Sequence, residues 1–331
     1  MNSYKKIRMD YLSTVFIFCL ILFFYLHIYY HLKTSDDLEV YTLSMPSKDK
    51  LEEICSVRQP VLFPFKNELI TNTFSLLSLE KNQGVFDINI RKKGDDLYLP
   101  ILLKSAIKLF KNDKGEEYYS ENNQDLLQET GLHKILRNND YFLRPPMVSS
   151  CVYDYCSGSL NCQTPLRYSL NYRNYLYVTE GNIKIKLISP IYTKYLYEDK
   201  DYDNFEFNSP INPWNIQDEY KTEFNKVKFI EIELKKNDII YIPAYWWYSI
   251  QYMKSTSLLM FKYRTYMNTV AIFPHILIKT LQKLNMKWDI VNKITNKEVE
   301  IKTDTKFLSD KPATPLPIIP EETENHDGPH E

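Results

Sequence analysis

The chain has 331 residues, 44% of them hydrophobic and 15% aromatic, which supplies one large core or two small ones and excludes a disordered polymer. The 41 basic and 42 acidic residues leave a formal net charge of -1. With no basic cluster interleaved with aromatics, nucleic acid is set aside as a partner.

Residues 1–10, "MNSYKKIRMD", precede "YLSTVFIFCLILFFYLHIYYHL", residues 11–32. This almost uncharged stretch is long enough to cross a hydrocarbon core of about 30 Å at about 1.5 Å per residue. It runs on in Phe, Leu, Ile and Tyr without a small-residue cleavage site, so a retained transmembrane helix is expected rather than a cleaved signal. Lys5, Lys6 and Arg8 precede it and Asp36, Asp37 and Glu39 follow it. By the positive-inside rule the N-terminus is then cytoplasmic, a single-pass type II arrangement. His27 and His31 read as interfacial residues beside the tyrosines rather than as metal ligands.

Residues 33–58 are mixed and charged and read as a stalk entering a short helix. Cys19 lies in the span, and Cys55, Cys151, Cys156 and Cys162 lie beyond it. Their even number fits two disulfides or four free thiols, and "CVYDYCSGSLNC" has no C-x-x-C pair to suggest zinc. There is no N-x-[ST] sequon. Between 61 and 138, "LITNTFSLLSLEKN" and "PILLKSAIKLFKN" have helical spacing and "GVFDINIRKK" alternates as a strand.

From residue 164 the pattern is short strands. "RNYLYVTEGNIKIKLISP" alternates on both sides of Glu180-Gly181-Asn182 and predicts a β-hairpin. "KFIEIEL", the turn "KKND", "IIYIPAYWWYSIQY" and "SLLMFKYRTYM" supply further strands of a sandwich or barrel. Asn237 suits a left-handed turn position. "VAIFPHILIKTLQKLNMKWDIVNKI" has helical spacing, with Pro274 near its first turn. The proline-rich acidic tail 301–331 reads as disordered.

Three stretches together resemble the JmjC/cupin-like (cupin 8, factor-inhibiting-HIF-like) superfamily of Fe(II)/2-oxoglutarate oxygenases. They are "TPLRYSLNYRNYLYVTEGNIKIKLISP" (164–190), "SPINPWN" (209–215) and "KKNDIIYIPAYWWYSI" (235–250). The wording is especially similar to cupin-like proteins of large DNA viruses, which would put the span in a host or virion membrane. The resemblance implies a mainly β domain with flanking helices, a double-stranded β-helix of the cupin or jelly-roll type, over residues 59–300. It also implies a homodimer through the C-terminal helices.

Such oxygenases hold iron by two His and one carboxylate. The resemblance places those ligands at Arg167, Ser169 and Tyr248. No His or Asp occurs from Thr164 to Gly181, and residues 59–300 contain only His133 and His275. A guanidinium stays protonated and offers no lone pair to a metal. No cofactor is therefore expected, and the chain reads as a pseudoenzyme, a membrane-anchored binding or structural module. Arg167 would pair with a ligand carboxylate or phosphate, or with an acid such as Glu180 in a filled pocket. Lys184 and Lys186, beside the position of the family's 2-oxoglutarate lysine, and Trp246 and Trp247 are pocket-adjacent candidates. The alternative is an active hydroxylase using Fe(II) and 2-oxoglutarate at an unconventional site, with acids from Asp199, Asp201, Asp203 and Glu206.

Overall fold

The structure, a computed structural model, describes residues 2–95, 97–253 and 255–288. Residues up to Gln282 form one compact unit; a second begins at Lys283, of which the described part is the last turns of one helix. The predicted tail lies outside the described residues.

The chain opens with α1 (Asn2–Leu32), then β1 (Tyr41–Thr42), α2 (Lys48–Ser56) and β2 (Val61–Pro64). Next come α3 (Glu68–Thr73), α4 (Leu76–Gln83), β3 (Asp87–Lys92), β4 (Tyr98–Leu102), α5 (Leu103–Asn112) and β5 (Tyr118–Ser120). Two short helices follow, α6 (Gln124–Glu129) and α7 (Leu132–Asn139), before the long strand β6 (Val148–Gly158). The β core continues with β7 (Leu166–Tyr168), β8 (Arg173–Glu180), β9 (Asn182–Ile188), β10 (Asp199–Asp201) and β11 (Glu206–Ser209). After α8 (Lys221–Phe224) come β12 (Phe229–Lys235), β13 (Asp238–Pro243), β14 (Trp247–Tyr252) and β15 (Thr256–Thr265). Two helices close the described chain, α9 (Tyr266–Ala271) and α10 (Phe273–Trp288).

The strands form two sheets, a nine-stranded one ordered β1-β2-β13-β8-β15-β6-β5-β3-β4 and a six-stranded one ordered β10-β11-β7-β14-β9-β12. Because strand side chains alternate, each sheet has an inner and an outer face. Leu176, Val178 and Ile240 from the larger sheet meet Ile183, Ile185, Leu187 and Ile250 from the smaller in one buried cluster, the barrel interior. Helices α2 to α7 cover the outer face of the larger sheet through Leu51, Ile70, Leu79, Ile107, Leu126 and Leu136. Trp247, Tyr168, Ile188 and Ile272 pack on the outer face of the smaller one.

Three expectations need correction. Strands β8 and β9 do not pair with each other: β8 pairs with β13 and β15, and β9 with β12 and β14. Period-two alternation is the same for a hairpin and for two strands that face each other across a barrel, so the pattern alone did not separate them. Gly181 makes the crossing, at φ 78°, where an added Cβ would sit 2.5 Å from the Ser255 carbonyl oxygen.

The start of the predicted helix "PILLKSAIKLFKN" lies in β4, which pairs with β3, and α5 begins only at Leu103. Residues 33–58 are built into the domain rather than forming a stalk. β1 runs parallel to β2, Leu51 and Cys55 are fully buried, and Trp246 Nε1 donates to the Ser35 carbonyl. Asn237 does adopt the left-handed conformation, at φ 71°.

Candidate functional site

The strands β7 and β14 are neighbours in register, with Arg167 directly opposite Tyr248. Residues opposite one another on paired strands share a face, and here that face is the interior. Ser169 lies just beyond the end of β7, where its Oγ accepts from Asn171 Nδ2 at 2.8 Å and its carbonyl accepts from Tyr245 N at 2.9 Å. Tyr245 turns the chain between β13 and β14 at φ 67°, a left-handed conformation that costs a bulky side chain strain and fixes the corner carrying Tyr248. Arg167, Ser169 and Tyr248 thus line one cavity of about 210 Å³ at one end of the barrel.

A charged network surrounds it. The Arg167 guanidinium pairs with Glu121 and lies 5.7 Å from the Tyr248 ring centroid. Arg91 Nη1 stands 3.6 Å from Glu121 and 3.1 Å from Glu206, and the Tyr98 hydroxyl lies 3.0 Å from Glu121 and 3.1 Å from Glu206. Burial alone would raise the Glu121 carboxyl, but the Arg167 and Arg91 guanidiniums hold it below the ordinary carboxylate value. Arg167 Nε is buried without a hydrogen-bond partner.

A second group stands beside the first. Asp154 accepts from the backbone N–H groups of Asn122 (3.0 Å) and Asn123 (2.7 Å), and burial raises its carboxyl. Lys262 Nζ is 3.9 Å from Asp154; burial would lower the ammonium, but the neighbouring carboxylate outweighs it and the net shift is upward. Arg264 donates from Nε to Asn171 Oδ1 at 2.6 Å and forms no ion pair among the described residues. Burial lowers its guanidinium from its usual value. Cations Arg167, Lys262, Arg264 and Lys279 therefore line the cavity against the single carboxylate of Glu206.

Residues 152–269, which carry most of the cavity lining, match the family model of the cupin-like domain. They form a cupin-like domain. No curated protein matches the chain.

Among the described residues that line this cavity there is no His, one of the donors that Fe(II) takes in 2-His-1-carboxylate oxygenases. At the three positions that the sequence resemblance assigns to ligands stand an ion-paired guanidinium, a hydroxyl and a phenol. The nearby carboxylates are committed, Glu121 to Arg167 and Arg91, and Asp154 to two backbone amides. Among the described residues no group of three or more His, Cys, Asp or Glu side chains could hold a metal ion. Of the acids considered for an unconventional site, Asp201 Oδ1 accepts from Asp203 N and Asn204 N in a turn, and Glu206 accepts from Arg91 Nη1. His133 Nδ1 lies 3.2 Å from the Leu127 carbonyl oxygen, and His275 Nδ1 3.0 Å from the Tyr202 hydroxyl.

Four pocket-adjacent candidates lie elsewhere in the cupin-like domain. Lys184 and Lys186 alternate with the inward Ile183, Ile185 and Leu187, so they point outward, both towards Glu231. Lys186 Nζ also donates to the Pro213 carbonyl at 3.0 Å and lies over Trp214 and Phe229, and burial lowers its ammonium. Trp247 faces out, with its ring centroid 4.8 Å from that of Tyr168 and its Nε1 bonded to Thr193. Trp246 is fully buried beside Ser35. The acid that Arg167 meets is Glu121 and not Glu180, which instead accepts from Leu76 N.

Glu121, Lys262 and Arg264 were not among the predicted site residues. A signal existed for two of them: in "SLLMFKYRT" the lysine and arginine continue the inward register of Leu258 and Met260. Glu121 sits in the polar run "YSENNQD", which carries no such signal. The cysteines beyond the span are free thiols, with Cys55, Cys156 and Cys162 buried. Burial pushes Cys55 up to about 11 and Cys162 up to about 12, so neither is a ready thiolate.

Proposed function

We propose that this chain is a membrane-anchored cupin-like binding module in which a cationic pocket has replaced the iron site of an oxygenase. One observation carries the reading: Arg167, at a position where the resemblance expects an iron ligand, is held as a guanidinium by the fully buried Glu121. A positive group fixed there repels a divalent cation and attracts an anion. Arg264, which has no carboxylate partner among the described residues, lines the same cavity as Arg167 and offers an anion a second guanidinium. The cavity is therefore suited to a small ligand carrying carboxylate or phosphate groups, bound by Arg167 and Arg264 with Tyr248 and Ser169 as hydroxyl partners.

Anchoring is supported by α1, whose segment Tyr11–Leu32 has mean hydropathy 2.2 and is the one described helix long and apolar enough to cross a membrane. Its Phe16, Phe18 and Ile21 are more than 60% exposed, an apolar surface suited to lipid.

The test is calorimetric titration of the full chain in detergent with inorganic phosphate and, separately, malonate. Saturable binding of either, weakened by salt and lost in Arg264→Gln, is expected, and the stronger of the two identifies the anionic group. Absence of binding by both would contradict the pocket reading.

A further inference from the structure

An apolar groove of about 380 Å³ runs between the end of α1 and the loops beside α9. One wall is Leu26, His27, Tyr30 and His31; the other is formed chiefly by Met147, Tyr172 and Tyr266. The first wall is still part of the apolar segment, since Leu26 precedes Leu32 by six residues, roughly 9 Å of helix.

The two walls are locked together. Arg58 Nη1 donates to the carbonyls of His31 (3.0 Å) and Lys33 (2.6 Å), closing the C-terminal end of α1 with a cation. The same guanidinium lies over the rings of Tyr30 and Tyr172, and Tyr30 OH donates to the Ser56 carbonyl at 3.2 Å. Residues that this clamp holds level with the last turns of a spanning helix are held at the boundary of the hydrocarbon. Met147 (73% exposed) and Tyr266 (60%) lie there, and Val270 and Phe273 are exposed on the helices that follow.

We infer that the domain sits directly on the bilayer, with Met147, Tyr266, Val270 and Phe273 in the interface and the groove taking a lipid acyl chain. This rests on α1 spanning the membrane. The occupant follows from continuity: the groove shares its wall with the spanning segment, so the apolar material beside it is lipid. Tyrosines and histidines at this depth suit the headgroup region.

The test uses the full chain with Cys19→Ser and Cys151→Ser, reconstituted in phosphatidylcholine vesicles, with a fluorophore on single cysteines introduced as Met147→Cys, Tyr266→Cys, Phe18→Cys or Leu77→Cys. Labels at 147 and 266 are expected to lose most of their emission to lipids bearing a nitroxide near the headgroup, with the Leu77 label on α4 unaffected. If the Phe18 label is quenched by a deep nitroxide while 147 and 266 behave like 77, the span stands and the docking inference falls. If Phe18 is also unquenched, the anchor reading falls and takes the inference with it. Concentration-dependent shielding of 147 and 266 in detergent, without quenching by lipid, would assign the surface to a second copy of the chain and overturn the inference.

Discussion

Along β15 the inward side chains run Leu258, Met260, Lys262, Arg264, so a single strand passes from an apolar half of the barrel to a charged half. The facing strands change with it: Ile250 gives way to Tyr248 on β14, and Cys156 to Asp154 on β6. In the apolar half, stability comes from burial of close-packed aliphatic side chains. In the charged half, burial costs free energy, and Glu121 and Asp154 persist because Arg167, Arg91 and Lys262 stand beside them. The comparison teaches that the same register can build a core or a binding site, and that the partners of the charges decide which.

The largest way to break this contrast is to strand a buried charge. Arg167→Ala leaves Glu121 with the Tyr98 hydroxyl and the more distant Arg91, and a loss of about 3–5 kcal/mol of unfolding free energy is expected by chemical denaturation. Removing both charges in Arg167→Ala/Glu121→Gln should restore much of that loss; equal losses in the single and double variants would mean that the pair is not what holds this end. In the apolar half, Ile185→Ala removes a fully buried side chain and should cost about 3 kcal/mol with no effect on anion binding. Gly181→Ala forces a side chain into a left-handed corner against the Ser255 carbonyl, an expected loss of about 2 kcal/mol readable as a lower melting temperature. Lys184→Ala, on the outward face, should change stability by less than about 0.5 kcal/mol and leave anion affinity unchanged.

The halves also differ in their response to pH. The Glu121 carboxyl is held below its ordinary value of 4.5, so the unfolded chain binds the proton more readily. Its contribution is present above that value and is lost as pH falls through the lower folded one. Asp154, raised by burial, acts with the opposite sign: its contribution is fullest below 3.8 and declines as pH rises through the folded value. Stability curves of the wild type and Glu121→Gln should therefore converge on acidification below about pH 4.5. A constant gap down to pH 2 would contradict the assignment.

Much of this was legible in the sequence, for identifiable reasons. Alternation marked the strands β8, β9, β12 and β14, because a half-buried strand must alternate whatever it pairs with. It could not reveal that β8 and β9 belong to different sheets, since that depends on the backbone turn at Gly181. Arg167, Ser169 and Tyr248 were singled out by the resemblance, and the register of β7 against β14 explains why these residues from two distant motifs meet at one cavity. Glu121 was not readable because it reaches the site from the loop after β5, outside the motifs that carry the resemblance. Lys184 and Lys186 were misplaced because adjacency in sequence on a strand means opposite faces.

The most direct measurement is anaerobic loading of the full chain in detergent with Fe(II) and 2-oxoglutarate, followed by metal analysis and, after admitting oxygen, succinate determination. The account predicts iron well below one per chain and no succinate above a protein-free control. One iron per chain with enzyme-dependent succinate would contradict it.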